Sequence, residues 1–146
     1  MNIWNKTVES IRRFNRLYTV HMGFLDTDYL DTEYSIAETR ILFELKTNGT
    51  CIQSDIAKTL GIDKSYLSRI IKGFHNKDLI MKMVSDEDKR AAKISLTDKG
   101  NAETLKLIDL TNQQIERQIA GLSEAECKKL CEALNMVISI LGKGNK

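Results

Sequence analysis

The stretch Gln53-Ser-Asp-Ile-Ala-Lys-Thr-Leu-Gly-Ile-Asp-Lys-Ser-Tyr-Leu-Ser-Arg69 decides the fold. Ile56 and Leu60 lie one helical turn apart, so Gln53–Leu60 reads as a short helix with a single inner face. Gly61 follows, able to take the left-handed conformation that ends a helix. Asp63 then offers a carboxylate to the unpaired amides of a new helix, Lys64 to about Asp78, and its charge suits the positive end of that helix's dipole. Leu67, Ile70, Ile71 and Phe74 recur there at i, i+3, i+4 and i+7, the spacing of a buried stripe. Lys64, Ser65, Tyr66, Ser68, Arg69 and Lys72 are left largely on the other face. Ala57 is small where the two helices must approach. Two helices joined by a short glycine turn make a helix-turn-helix.

Working outward, Leu79–Val84 and Ala92–Leu96 read as short strands around the polar turn Ser85–Arg90. A hairpin directly after a helix-turn-helix is a wing. Upstream, Trp4, Val8, Ile11, Phe14 and Tyr18 mark a helix from about Ile3 to Met22 that Gly23 ends, and the acidic stretch Asp26–Glu33 is a loop. Ser35 and Glu38 form a capping box for a helix to about Lys46, burying Ile36, Leu42, Phe43 and Leu45. Asn48-Gly49 is a turn. Downstream, Thr97 caps a helix from about Asp98 to Ala120, with Ala102, Leu105, Ile108, Ile115 and Ile119 expected inside. After Gly121, Ser123 and Glu126 make a second capping box, and the last helix carries Cys127, Leu130, Cys131, Leu134, Val137, Ile138 and Leu141 on one stripe. The fold class is mainly α with a small β-wing. Residues 1–146 form one domain, with the winged helix-turn-helix at 35–97 and helical segments at 1–34 and 98–146.

Composition narrows the function. At 42% hydrophobic and 29% charged, the 146-residue chain is an ordinary globular sequence, so disorder is excluded. No apolar run approaches the roughly 18–20 residues of a membrane span, and Met1–Lys6 lacks the layout of a signal peptide. Three cysteines, an odd number, argue against a disulfide framework and for a reducing cytosol, so a cytoplasmic location is expected. The net charge of +2 hides a division, because residues 58–93 carry nine cations against five acids while residues 23–57 carry seven acids against two cations. A basic segment inside a near-neutral chain suits a protein that touches polyphosphate with one part only.

The pattern resembles the MarR family of winged-helix regulators over nearly the whole chain. The likeness rests on Ser54–Ala57, Leu60–Arg69, Lys77-Asp-Leu-Ile80, Asp86–Ala91 and Leu96-Thr-Asp-Lys-Gly100, in which Asp88-x-Arg90 precedes Leu-Thr-x-x-Gly. One departure is Lys77-Asp78, where the family often has glycine before the leucine. The resemblance implies a homodimer built from the N- and C-terminal helices. It also implies sequence-specific binding to double-stranded DNA at a pseudo-palindromic operator, usually as a repressor relieved by a small aromatic effector. Two recognition helices would then lie roughly 34–36 Å apart, one turn of the duplex. Phe14, Tyr18, His21, Tyr34 and Arg40 could line an effector pocket, although each also suits core or loop packing.

Residue roles follow. Arg69 has the planar fork that pairs with guanine O6 and N7, while Ser65, Tyr66 and Ser68 suit phosphates or base edges. Lys64 and Lys72 suit phosphates. Arg90 at the wing tip suits a narrow minor groove, and Asp88 supports the wing by orienting Arg90 or bracing the turn. A solvated Arg69 paired to Asp63 is the plain alternative. Asp63…Tyr66-Leu-Ser-Arg69 is similar to members fused to acetyltransferases, so an interaction module of that kind is one rival. No Gly-rich acyl-CoA loop appears, and no catalytic constellation surrounds His21 or His75, so no enzyme and no cofactor is expected. A thiol-based redox sensor is a second rival. Thiol-sensing members carry their cysteine near the start of the first helix, where this chain has none, and Cys127 and Cys131 lack the ligands to complete a metal site.

Overall fold

A computed structural model describes residues 2–24, 30, 32–84 and 91–143. The elements are α1 (Ile3–His21), α2 (Ile36–Asn48), β1 (Cys51–Ile52), α3 (Gln53–Leu60), α4 (Lys64–Asn76), β2 (Ile80–Val84), β3 (Ala92–Leu96), α5 (Asp98–Ile119) and α6 (Glu124–Gly142). The winged helix-turn-helix expected from the sequence is therefore present. The acidic stretch at 25–29 and 31 and the wing turn at 85–90 lie outside the described residues. The chain divides into two compact units, Met1–Asn112 and Gln113–Lys146.

In the first unit, β3 lies between β1 and β2 in an antiparallel sheet, with Ile94 opposite both Cys51 and Lys82. The core gathers Ile41, Leu42 and Leu45 of α2, Ile56 and Ala57 of α3, Leu67, Ile71 and Phe74 of α4, and Leu79, Ile80, Ile94 and Leu107. Ile41 is fully buried, whereas the expected Ile36, Phe43, Leu60 and Ile70 are only half-buried. Ser35 and Glu38 form the expected capping box at α2, and Ser123 and Glu126 form the other at α6.

Helices α3 and α4 end in the same way. At α3, Ile62 N donates to Ala57 O and Gly61 N to Lys58 O, with Gly61 at φ 65°. At α4, Leu79 N donates to Phe74 O and Asp78 N to His75 O, with Asp78 at φ 59°. Both are Schellman motifs, and at α4 the motif brings apolar Leu79 and Phe74 into the core. The helix therefore stops at Asn76, two residues before the expected Asp78, because the left-handed turn falls on the aspartate itself. An L side chain at this φ is disfavoured by roughly 1–2 kcal/mol, somewhat less for Asp.

The start of α5 closes against this junction. Thr97 N donates to Leu79 O at 3.0 Å, and the Thr97 hydroxyl donates to Asp78 O while accepting from Gly100 N. A Cβ at Gly100 would stand 1.9 Å from Leu79 O. The buried face of α5 is Gly100, Thr104 and Leu107, not the expected one: Ala102, Leu105 and Ile115 are exposed, and Ile108 and Ile119 are half-buried. The Thr104 hydroxyl donates to Gly100 O at 2.7 Å, so a polar residue buries without an orphaned hydroxyl.

Tyr34 was a possible effector-pocket residue, but its side chain is 5% exposed and belongs to the core. Its hydroxyl donates to Glu103 Oε2 at 3.4 Å, and Lys77 Nζ lies 5.6 Å from the ring centroid. Burial, then the charges of Glu103 and Glu33, pushes the phenol pKa up from 10.0 to about 12.

Three stability outcomes are expected. Gly100→Ala should cost about 2–3 kcal/mol in urea unfolding, since the intruding carbon meets backbone rather than a movable side chain. Asp78→Gly should instead raise the urea midpoint, by roughly 0.5–1 kcal/mol after the added freedom of the unfolded chain is counted. The folded state holds the Tyr34 proton more tightly than the unfolded state, so its contribution is complete below pH 10 and is lost as pH rises towards 12. Tyr34→Phe should remove on the order of 1 kcal/mol of the stability difference between pH 9 and pH 11.

Candidate nucleic-acid interface

Helix α4 owes its position to its two ends. Asp63 Oδ2 accepts from Ser65 N at 3.0 Å and Tyr66 N at 3.2 Å, fixing the first turn. Leu67, Ile71 and Phe74 then anchor one side in the core. Lys64, Ser65, Tyr66, Ser68, Arg69 and Lys72 are all exposed, so the six expected residues of α4 share the outward side of one capped helix.

The carboxylate of Asp63 is taken up by the helix amides, and among the described residues Arg69 has no acidic partner. The Arg69 guanidinium instead lies 5.8 Å from the centroid of the Tyr66 ring, which is 39% exposed. That contact is a cation–π pairing, and it leaves the guanidinium donors free to reach a ligand. Ser68 is not free in the same sense, because Gln53 Nε2 at the start of α3 donates to Ser68 Oγ at 3.1 Å. Gln53 carries no signal in the sequence pattern that points to this contact. The pair spans two elements, and only the turn geometry at Gly61 brings it together. Arg90 and Asp88 lie outside the described residues.

The rival thiol chemistry finds little here. Cys51 is half-buried and its thiol donates to Gly49 O at 3.5 Å. Burial pushes this thiol up, and Glu44 and Asp55 push it further, which opposes the thiolate a redox sensor uses. Among the described residues no group of three or more His, Cys, Asp or Glu side chains could hold a metal ion. Among them too, no helix is long and apolar enough to cross a membrane.

Residues 34–92 match the model of the MarR family. The HTH-type transcriptional regulator YfiV of Bacillus subtilis is 22% identical over 120 residues, covering 82% of this chain and 75% of that protein. Bordetella bronchiseptica BpsR, whose DNA binding is regulated by 6-hydroxynicotinic acid, shares the fold with a TM-score of 0.72 and 21% identity, over 88% of this chain and 98% of that one. A mutant of MarR from E. coli in complex with operator DNA superposes with a TM-score of 0.70 and 18% identity, over 94% of this chain and 99% of that one. The matched region begins at Tyr34 under α2 and ends in the first residue of β3, so it takes in the capped helix, its glycine turn and the base of the wing. That stretch, then, resembles the MarR family, and it folds as a winged helix-turn-helix.

Proposed function

We propose that the chain is a dimeric, sequence-specific DNA-binding regulator, a repressor whose grip on a pseudo-palindromic operator is relieved by a small aromatic effector. The observation that carries this reading is the outward face of α4. It presents Arg69 without an acidic partner among the described residues, between Lys64 and Lys72, on a helix whose opposite face is held in the core. Arg69 would read a guanine edge, and Ser65, Tyr66 and Ser68 would contact phosphates or base edges. Lys64 and Lys72 would hold phosphates that carry no sequence information. Arg90 would enter the minor groove from the wing, with Asp88 supporting it.

Dimerisation through 1–34 and 98–146 is supported by what those segments leave uncovered. Helix α1 has no buried residue, with Trp4 76%, Ile11 51% and Leu17 59% exposed. Helix α6 likewise has none, and Leu130, Leu134, Val137, Ile138 and Leu141 all stand exposed. Apolar faces of this extent on a regular helix call for a partner surface. The effector part rests on BpsR, where a small aromatic acid regulates DNA binding. A reducing, cytoplasmic setting suits the three free cysteines.

Genomic footprinting with the purified protein supplies the operator, and fluorescence anisotropy on that duplex gives the test. Arg69→Ala should lose about 1–3 kcal/mol of affinity for the operator and much less for a scrambled duplex. Lys72→Ala should weaken both duplexes alike. Equal affinity of Arg69→Ala and the parent protein for the operator would remove Arg69 from the reading role. Sedimentation equilibrium should give twice the mass of one chain, and Leu134→Glu should shift it toward a single chain.

A further inference from the structure

A cleft of about 310 Å³ opens between α3, α4 and the base of the wing, with Gln53, Ser54, Lys64, Ser68 and Lys82 as its polar wall and Ala57 and Leu67 below them. No described carboxylate lines it. We propose that this cleft seats one backbone phosphodiester of the bound duplex, with Lys64 and Lys82 neutralising it from two elements and Gln53 orienting the Ser68 hydroxyl toward it. The proposal rests on the DNA-binding reading above and adds Lys82 and Gln53 to the residues that serve it.

Three observations converge. First, Lys82 sits opposite Ile94, and residues paired across an antiparallel ladder share a face. Ile94 is fully buried, so Lys82 stands on the side of the ribbon turned toward the helices rather than on its outer side. An inward charge on an edge strand also discourages strand-to-strand aggregation. That role needs no second cation in the same cleft, yet Lys64 is there.

Second, Gln53 Nε2 occupies a lone pair of Ser68 Oγ. Ser68 still has its proton to donate outward, and a phosphate oxygen is a pure acceptor. Third, Gln53 Oε1 is buried without a hydrogen-bond partner among the described residues. An ammonium drawn into the cleft by a phosphate carries three donors, enough for the anion and for this oxygen together. The cleft also flanks the exposed Arg69 face, and a recognition helix whose first turns meet base edges runs its flanks beside the sugar–phosphate strands.

The test is an anisotropy series over ionic strength with operator and scrambled duplexes. Lys82→Ala should lower the slope of log affinity against log salt by about one and weaken both duplexes equally. Lys93→Ala removes the same charge from the opposite face of the ribbon, where Lys93 pairs with Met83 and Ile52, and should leave the slope unchanged. Gln53→Glu should weaken binding more than Gln53→Leu at equal melting temperature, because it sets a carboxylate beside the phosphate. A Lys82→Ala slope equal to that of the parent or of Lys93→Ala overturns the proposal while leaving the DNA-binding reading intact. So does a Lys82-dependent rise in melting temperature with inorganic phosphate alone, if the DNA slope stays unchanged, since the cleft would then serve a free anion. Failure of the parent protein to bind any duplex would instead remove the reading on which the proposal rests.

Discussion

The approach of Gly100 to the carbonyl of Leu79 fixes the geometry on which the rest of the first unit depends. At that point four elements meet within a few residues: the end of α4, the start of β2, the end of β3 and the start of α5. Leu79 donates its amide back to Phe74 and accepts from Thr97, while the Thr97 side chain spans Asp78 O and Gly100 N. Lys99 Nζ adds a bond to Lys77 O at 2.9 Å. Each bond is modest alone, on the order of 1 kcal/mol. Together they leave the exit of α4 little freedom, and the wing must leave from the same place. Any β-carbon at position 100 would push the helix start away from that knot.

Most of the helix-turn-helix was legible because its signals are local. Ser35 and Glu38, Ser123 and Glu126, Gly61 and Asp63 act within four residues of themselves, and each appears in the structure where its chemistry put it. The interior of α5 was not legible for a physical reason. Hydropathy favours Leu105 and Ile108 over Gly100 and Thr104, yet close approach to Leu79 needs a residue without a side chain, and threonine buries by bonding its own helix. Leu105 is left 47% exposed. Nor does apolar spacing reveal the bond between Gln53 and Ser68, because neither residue is apolar and the contact spans fifteen positions. The six α4 side chains that the sequence places outward are all exposed. What the sequence could not show is which of them are tethered.

Asp78 shows how a departure from a family pattern can be absorbed. The α4 exit requires a left-handed residue, and glycine meets that demand without strain. Aspartate meets it at φ 59°, its short polar side chain being among those that tolerate the conformation. The hydrogen bonds of the junction run through the Asp78 and Leu79 backbones, so the motif survives the change of residue.

The cap at the other end of α4 bears on how this helix would hold an anion in the proposed function. A helix N-terminus ordinarily presents free amides and a positive dipole end to phosphate. Here Asp63 takes up the amides of Ser65 and Tyr66 and places a negative charge at the same spot. That stabilises the helix, but it removes the backbone's own claim on a phosphate. In the proposed DNA-binding reading, anion binding would then fall to side chains along the flanks, where Lys64, Lys72 and Arg69 are exposed. Such contacts set affinity and register, and they respond to salt, while only a planar fork aimed at a base edge discriminates sequence. In the proposed reading, the division of labour between lysines beside the helix and one arginine on its face would thus follow from how the helix begins.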